Sequence, residues 1–117
     1  MFQVEFYESK DGKQPVVEFL DSLNPKMAAK LVGLMEILEE KGNTLREPYS
    51  ALVDDGIFEL RCKLGSNITR ALYFFYVDQR IIITNGFMKK TQKTPVQEIH
   101  LAKERREDWI SRQKNKR

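Results

Sequence analysis

The feature that most constrains this chain is the alternation of apolar and charged residues at positions 57–64, which predicts a β-strand with one buried face. Successive residues of a strand point to opposite faces, so one face carries Phe58, Leu60, Cys62 and Leu64, and the other carries Glu59, Arg61 and Lys63. Arg70 on the next predicted strand, with Lys89 and Lys90 at the end of a third, would extend the charged face. Such a cluster of mainly positive side chains suits a phosphate backbone.

Two more strands follow at short intervals and complete a predicted antiparallel meander. Residues 68–77 follow the short polar loop Gly65-Ser66-Asn67, and residues 80–85 follow a turn near Asp78-Gln79. Residues 71–76 and 81–83 are apolar at successive positions, which is typical of central strands covered on both faces. The sheet therefore needs a layer on each side.

The first half of the chain predicts one of these layers. Residues 2–7 alternate in polarity and predict an opening strand, and a helix is expected to begin at Pro15. A second helix should run from Pro25, with Asn24 as its N-cap, to the stop at Gly42. The two helices form a hairpin that covers one face of the sheet.

The opposite layer is expected from the C-terminal helix. This helix should start near Pro95 with Thr94 as its cap, and its basic end from Arg112 to Arg117 is expected to fray. Residues 42–55 read as irregular, with a turn at their end. The predicted fold class is α+β: a strand, a two-helix hairpin, a three-strand meander and a last helix.

Charge is distributed unevenly along the chain. Residues 1–50 hold six Lys/Arg and nine Asp/Glu, a formal charge of −3, whereas residues 51–117 hold fourteen and eight, a formal charge of +6. The second half is therefore expected to face nucleic acid, and exposed lysines of an ordinary domain are the alternative.

Length and composition limit the class of protein further. The 117 residues predict one domain, 1–117. One histidine and one cysteine exclude an intramolecular disulfide and the usual zinc sites, so no metal and no cofactor are predicted. No apolar run approaches the ~20 residues that span a bilayer, and we expect a cytoplasmic protein without a membrane partner.

Three segments are similar to the RelE/ParE superfamily of bacterial toxins from type II toxin–antitoxin systems. They are residues 56–61 (GIFELR), 69–74 (TRALYF) and 85–95 (NGFMKKTQKTP), and the third is the most specific. The chain most resembles the HigB branch, which includes phage-derived members. The resemblance covers nearly the whole chain and implies a RelE-like fold.

The resemblance implies a toxin that inhibits translation by cutting messenger RNA on the ribosome without a metal. A ribose 2′-OH attacks the adjacent phosphorus, so the enzyme must accept a proton, stabilise negative charge and protonate the leaving 5′-oxygen. The implied partners are the ribosome, mRNA and a HigA-like helix-turn-helix antitoxin, whose dimer would form a heterotetramer with two toxin chains.

The resemblance also implies roles for individual residues. Arg61 and Lys63 fall where RelE-type enzymes carry two functional lysines, and Arg70 falls on their phosphate-binding arginine. Lys89, or else Lys90, falls near a further functional arginine. At the junction between the last strand and the last helix, the candidates for RNA binding are Phe87, Lys90, Thr91 and Lys93. Capping of the helix is the alternative role for this segment.

The sequence leaves the identity of the general base open. The C-terminal tyrosine of RelE has no counterpart in residues 93–117, and the single histidine, His100, is expected to be a packing or surface residue. Glu59 is the first candidate, because a carboxylate among cations can hold a proton acceptor in place. Lys89 or Lys63, close to like charges, is the second.

Each of these roles has a purely structural alternative. Glu59, Arg61 and Lys63 could form a solvated strand face, and Arg70 could pair with Glu59 in a purely structural contact. The aromatic residues 73–76 are expected to be core. Two other functions remain open: a ParE-like inhibitor of DNA gyrase without chemistry of its own, and a non-toxic nucleic-acid-binding protein.

Overall fold

The computed structural model describes residues 1–88 and 93–115 of the chain. Its secondary structure runs in the order β1 (Gln3–Phe6), α1 (Pro15–Ser22), α2 (Pro25–Lys41), a 3₁₀ turn (Gly42–Thr44), β2 (Ser50–Asp54), β3 (Ile57–Leu64), β4 (Asn67–Tyr76), β5 (Arg80–Met88) and α3 (Val96–Lys114). The predicted α+β class is confirmed, and the predicted elements occur in the predicted order, with β2 as an additional strand.

The strands form one mixed sheet in the order β1-β5-β4-β3-β2. The predicted meander is confirmed as β3, β4 and β5, which pair antiparallel, whereas β1 pairs parallel to β5. The bounds of β3 are those that the alternation predicted.

The expectation that residues 42–55 are irregular is wrong at β2. Asp55 and Gly56 both have positive φ, 44° and 76°, and close a tight hairpin between β2 and β3. The pairing ends at Ser50 and Leu60, so β2 covers only the first half of the β3 edge. Beyond Leu60, the Arg61 amide still bonds the Tyr49 carbonyl, and the remaining edge of β3 borders a groove.

The helical hairpin forms as predicted and covers one face of the sheet. The side chain of Asn24 accepts a hydrogen bond of 2.9 Å from the Lys26 amide, and Pro25 is the first residue of α2. Gly42 ends the helix with φ of 53°. The larger core lies between these helices and the sheet and includes Leu31, Leu38, Leu60, Tyr73 and Ile83.

The C-terminal helix α3 covers the opposite face, as expected. Ala102 and Trp109 of α3 are buried in a smaller core with Leu72, Phe74 and Ile82 of the sheet. Trp109 packs edge-on against Phe74, with ring centroids 5.8 Å apart. No helix in the described ranges is long and apolar enough to cross a membrane.

Two expectations about the ends of α3 are wrong. Pro95, not Thr94, is the N-cap of the helix, and the Thr94 side chain bonds elsewhere. The helix continues through Arg112 to Lys114, because the Arg112 guanidinium binds the Glu8 carbonyl and the Asp108 carboxylate. The part of this expectation that concerns Lys116 and Arg117 lies outside the described residues and stays a prediction.

Two glycines form a natural matched pair for a test of packing. A β-carbon added at Gly86 of β5 would lie 2.5 Å from Cδ2 of the Phe19 ring in α1, closer than two carbons can approach. A β-carbon at Gly33 of α2 would meet nothing within 4 Å. Close contact of α1 with the sheet therefore depends on Gly86.

We expect Gly86→Ala to lower the free energy of unfolding by about 1–3 kcal/mol, because overpacking forces the Phe19 ring and the strand apart. Gly33→Ala should raise it by about 0.5–1 kcal/mol, because alanine costs less backbone entropy in a helix. Urea unfolding followed by circular dichroism measures both. Equal effects of the two substitutions would contradict the packing of α1 on β5.

Candidate functional site

The centre of the candidate site is the carboxylate of Glu59 on β3, which is fully buried. One oxygen, Oε1, accepts hydrogen bonds from Arg70 Nη1 at 2.9 Å and from Thr94 Oγ1 at 2.6 Å. The other, Oε2, accepts from Arg61 Nε at 2.8 Å. The alternative in which Glu59, Arg61 and Lys63 form a solvated face is therefore wrong at Glu59, although Arg61 is partly exposed and Lys63 is exposed.

Strand alternation and register explain why these groups meet. Residues Glu59 and Arg61 point to the α3 face of β3, and Arg61 lies directly opposite Arg70 of β4. Two guanidinium groups at facing positions would repel each other without an anion between them. The Glu59 carboxylate supplies that anion, and the predicted pairing of Arg70 with Glu59 is confirmed.

Arg61 connects this buried centre to solvent. Its side chain is 31% exposed and also lies 3.2 Å from the exposed carboxylate of Glu47. The hydrogen bond to Glu59 raises the pKa of the Arg61 guanidinium above its ordinary value, and burial opposes this only in part. Arg61 therefore carries a permanent positive charge at the boundary between core and solvent.

A groove of about 870 Å³ opens beside this boundary. It lies along the part of the β3 edge that β2 leaves uncovered, between α2 and the segment that precedes β2. Four cationic residues contribute to its lining, against the single carboxylate of Glu47: Lys30, Arg61, Lys63 and Arg70. The groove therefore favours an anionic ligand.

The predicted catalytic residues are brought together in part. Glu59, Arg61 and Arg70 form one hydrogen-bonded cluster, and Lys63, which is exposed, lines the same groove. The prediction that Lys89 joins them lies outside the described residues. Glu59 has both oxygens occupied by donors and no exposed surface, a geometry that suits holding two arginines in place.

Of the predicted RNA-binding residues, the two that the structure describes, Phe87 and Lys93, do not line this groove. Phe87 is partly buried and packs against the smaller core, and Lys93 is exposed. Lys90 and Thr91 lie outside the described residues. His100 is exposed on α3, as expected of a surface residue.

No metal site is apparent in the part of the chain that the structure describes. Within residues 1–88 and 93–115, no three His, Cys, Asp or Glu side chains lie close enough together to hold a metal ion. Cys62 is buried as predicted, and burial raises the pKa of its thiol.

Several residues of the groove and of the cluster around Glu59 were not predicted from the sequence. Lys30 lies on an exposed stripe of α2, and its ammonium group binds the Lys63 carbonyl. Tyr49 lies in the segment 42–55 that the sequence predicts to be irregular, and only the Asp-Gly turn after it indicates an ordered hairpin there. Thr94 was read as a cap, although a hydroxyl can also donate to a buried carboxylate.

We expect Glu59→Gln to lower the free energy of unfolding by about 3–5 kcal/mol, because it leaves two facing guanidinium groups without their anion. The matched control Glu47→Gln removes an exposed partner of the same Arg61 and should cost at most about 1 kcal/mol. Urea denaturation at neutral pH measures both. A Glu59→Gln protein as stable as the control would rule out this ion cluster as a structural centre.

Comparison with known proteins identifies the family of the chain. Residues 18–107 match the family described as "Phage derived protein Gp49-like (DUF891)", and this stretch contains α2, the whole β2–β5 sheet region and most of α3. A search of the curated proteins found no match. The Gp49-like family is a family of RelE/HigB-type toxins associated with toxin–antitoxin systems. With more than half of its length matched, including every groove residue, the chain belongs to the phage-derived Gp49-like family of toxins.

Proposed function

We propose that this protein is a HigB-type toxin that cuts messenger RNA on the ribosome and so inhibits translation. The observation that carries the proposal is the fixed pair of guanidinium groups, Arg61 and Arg70, at the wall of a cationic groove. A ligand with a phosphate backbone matches both the charge and the open shape of this groove.

The proposed reaction is transesterification within the RNA backbone. The 2′-oxygen of one ribose loses its proton and forms a bond to the neighbouring phosphorus, while the bond from phosphorus to the 5′-oxygen breaks and that oxygen takes up a proton. The products are a 2′,3′-cyclic phosphate and a free 5′-hydroxyl. Negative charge grows on the phosphate oxygens in the transition state, where preplaced cations stabilise it most.

The contacts of the described residues support a division of roles. Arg61 and Arg70 are held by Glu59 before any substrate arrives, so they lose little rotamer freedom when they bind a phosphate. Lys63 adds a flexible positive charge from the exposed edge of β3. Glu59 then acts as a positioning residue, and Lys89 stays a prediction from the resemblance. The cleavage needs no metal, because arginine and lysine side chains supply the positive charge.

The toxin family implies an antitoxin partner for this chain. We propose a HigA-like helix-turn-helix antitoxin, whose dimer binds two toxin chains. Inhibition would follow if the antitoxin covers the groove or keeps the toxin off the ribosome.

Expression of this chain alone in bacteria should arrest growth and cut translated transcripts, because the proposed substrate is mRNA on the ribosome. Mapping of the 5′ ends of cellular RNA, with and without an inhibitor of translation initiation, measures the cleavage and its dependence on the ribosome. Growth arrest with intact transcripts and accumulating DNA breaks would instead favour inhibition of gyrase.

Arg61→Gln should slow single-turnover cleavage about 10²–10³-fold, the loss of roughly 2.7–4 kcal/mol expected when one charge-stabilising donor is removed. The matched control is Arg80→Gln, since Arg80 is 30% exposed and is also paired with a carboxylate, Glu5, but lies on β5 outside the groove. The control should cleave within about threefold of the unchanged chain. Equal loss in both variants would point to a general effect on the fold.

A further inference from the structure

The groove has a feature that charge stabilisation does not require, which is the exposed aromatic ring of Tyr49. Tyr49 is 53% exposed and belongs to neither of the two cores. Ile37, 43% exposed, lines the same groove, and exposed apolar surface rimmed by charged residues is typical of interaction sites. The ring therefore offers contact area that the fold itself leaves unused.

The backbone of Tyr49 is nonetheless held firmly beside the cationic cluster. Its carbonyl accepts a hydrogen bond of 2.8 Å from the Arg61 amide, and its own amide donates to the Arg46 carbonyl at 3.1 Å. Tyr49 is thus attached to the same strand segment that carries Arg61. A ring with a fixed base and an exposed face can stack on a planar group at little cost in entropy.

The wall opposite the β3 edge is open and partly apolar. Ile37 of α2 is 43% exposed there, and Gly33, one turn earlier, leaves empty space where a side chain would stand. The volume of about 870 Å³ falls in the range of pockets that enclose a ligand of the size of a nucleotide. Lys30, Lys63 and Arg61 surround this space with positive charge.

We propose that Tyr49 stacks on an unpaired base of single-stranded RNA while the cations of the groove bind the adjoining phosphates. A nucleotide can contact both the aromatic ring and the cations of the groove, because it joins a flat base to an anionic phosphate. Tyr49 is then a substrate-binding residue, and the inference rests on the proposed function because it places the RNA across the same groove.

The test uses the full chain and a six-nucleotide single-stranded RNA that is 2′-O-methylated throughout, so that it cannot be cleaved, with 2-aminopurine at its third position. Stacking on Tyr49 should quench the 2-aminopurine fluorescence. Tyr49→Ala should weaken binding about 5- to 150-fold, the equivalent of one lost base–aromatic stack, whereas Tyr49→Phe should stay within about threefold. Gly33→Leu should weaken binding at least tenfold, because the added side chain enters the groove.

The matched control is Leu52→Ala, since Leu52 is 61% exposed three residues beyond Tyr49 but does not line the groove. This variant should bind as the unchanged chain does, and circular dichroism checks that each variant is folded. The same RNA in a duplex should bind more weakly, because its bases are paired.

The proposal is overturned if the unchanged chain fails to quench the probe, if Tyr49→Ala binds as well as Tyr49→Phe, or if the duplex binds as tightly as the single strand. Because the probe cannot be cut, the result is independent of catalysis. If the chain binds through Tyr49 but cleaves no RNA, this inference stands and the proposed function is wrong. If the chain with Tyr49 and the chain without it cleave RNA equally well and bind the probe equally, only this inference is wrong.

Discussion

The buried carboxylate of Glu59 is the contact on which the rest of the candidate site depends. It joins β3 to the neighbouring strand β4 through Arg70 and, 35 residues further along the chain, to the segment before α3 through Thr94. The contact ties the segment before α3 to the sheet, and it holds Arg61 at the edge of the groove. Because both carboxylate oxygens have donors, the two arginines are restrained together. The position of the groove follows from the same strand, whose edge β2 covers only as far as Leu60.

A buried ion pair is a costly way to join strands. Removing a carboxylate and a guanidinium from water costs several kcal/mol each, and apolar residues of equal volume often stabilise a protein as well. The neighbouring positions on the same face, Leu72 and Phe74, show that apolar packing was available to this sheet. The proposed function gives a reason to retain the charged residues here. Two arginines held in place beside an open groove would stabilise the negative charge that develops on a phosphate in the transition state. Stability alone would not select this arrangement.

Much of the fold was predictable, for identifiable local reasons. The alternation in β3 placed Leu60 and Cys62 in the core, and Asn24, Pro25 and Gly42 marked the two ends of α2. The strand β2 was missed because it is five residues long and lies at the edge of the sheet, where Leu52 is exposed and the polarity pattern is weak. The Asp55-Gly56 turn does indicate this strand, since an Asp-Gly pair suits a hairpin with a strand on each side. Thr94 was misread because a hydroxyl before a helix usually serves as a cap.

The sequence by itself determined the local structure: the two-residue period of the strands, the helix boundaries, and the need for a layer on each face of an apolar sheet. It also determined the residue types of a cationic site, because Arg61, Lys63 and Arg70 follow from strand alternation and a short hairpin. Only the tertiary structure decided that Glu59 is buried between two arginines and Thr94, that β1 pairs parallel to β5, and that Tyr49 faces a groove lined by α2. Each of these depends on which distant segments of the chain meet, and periodicity or turn chemistry acts over only a few residues.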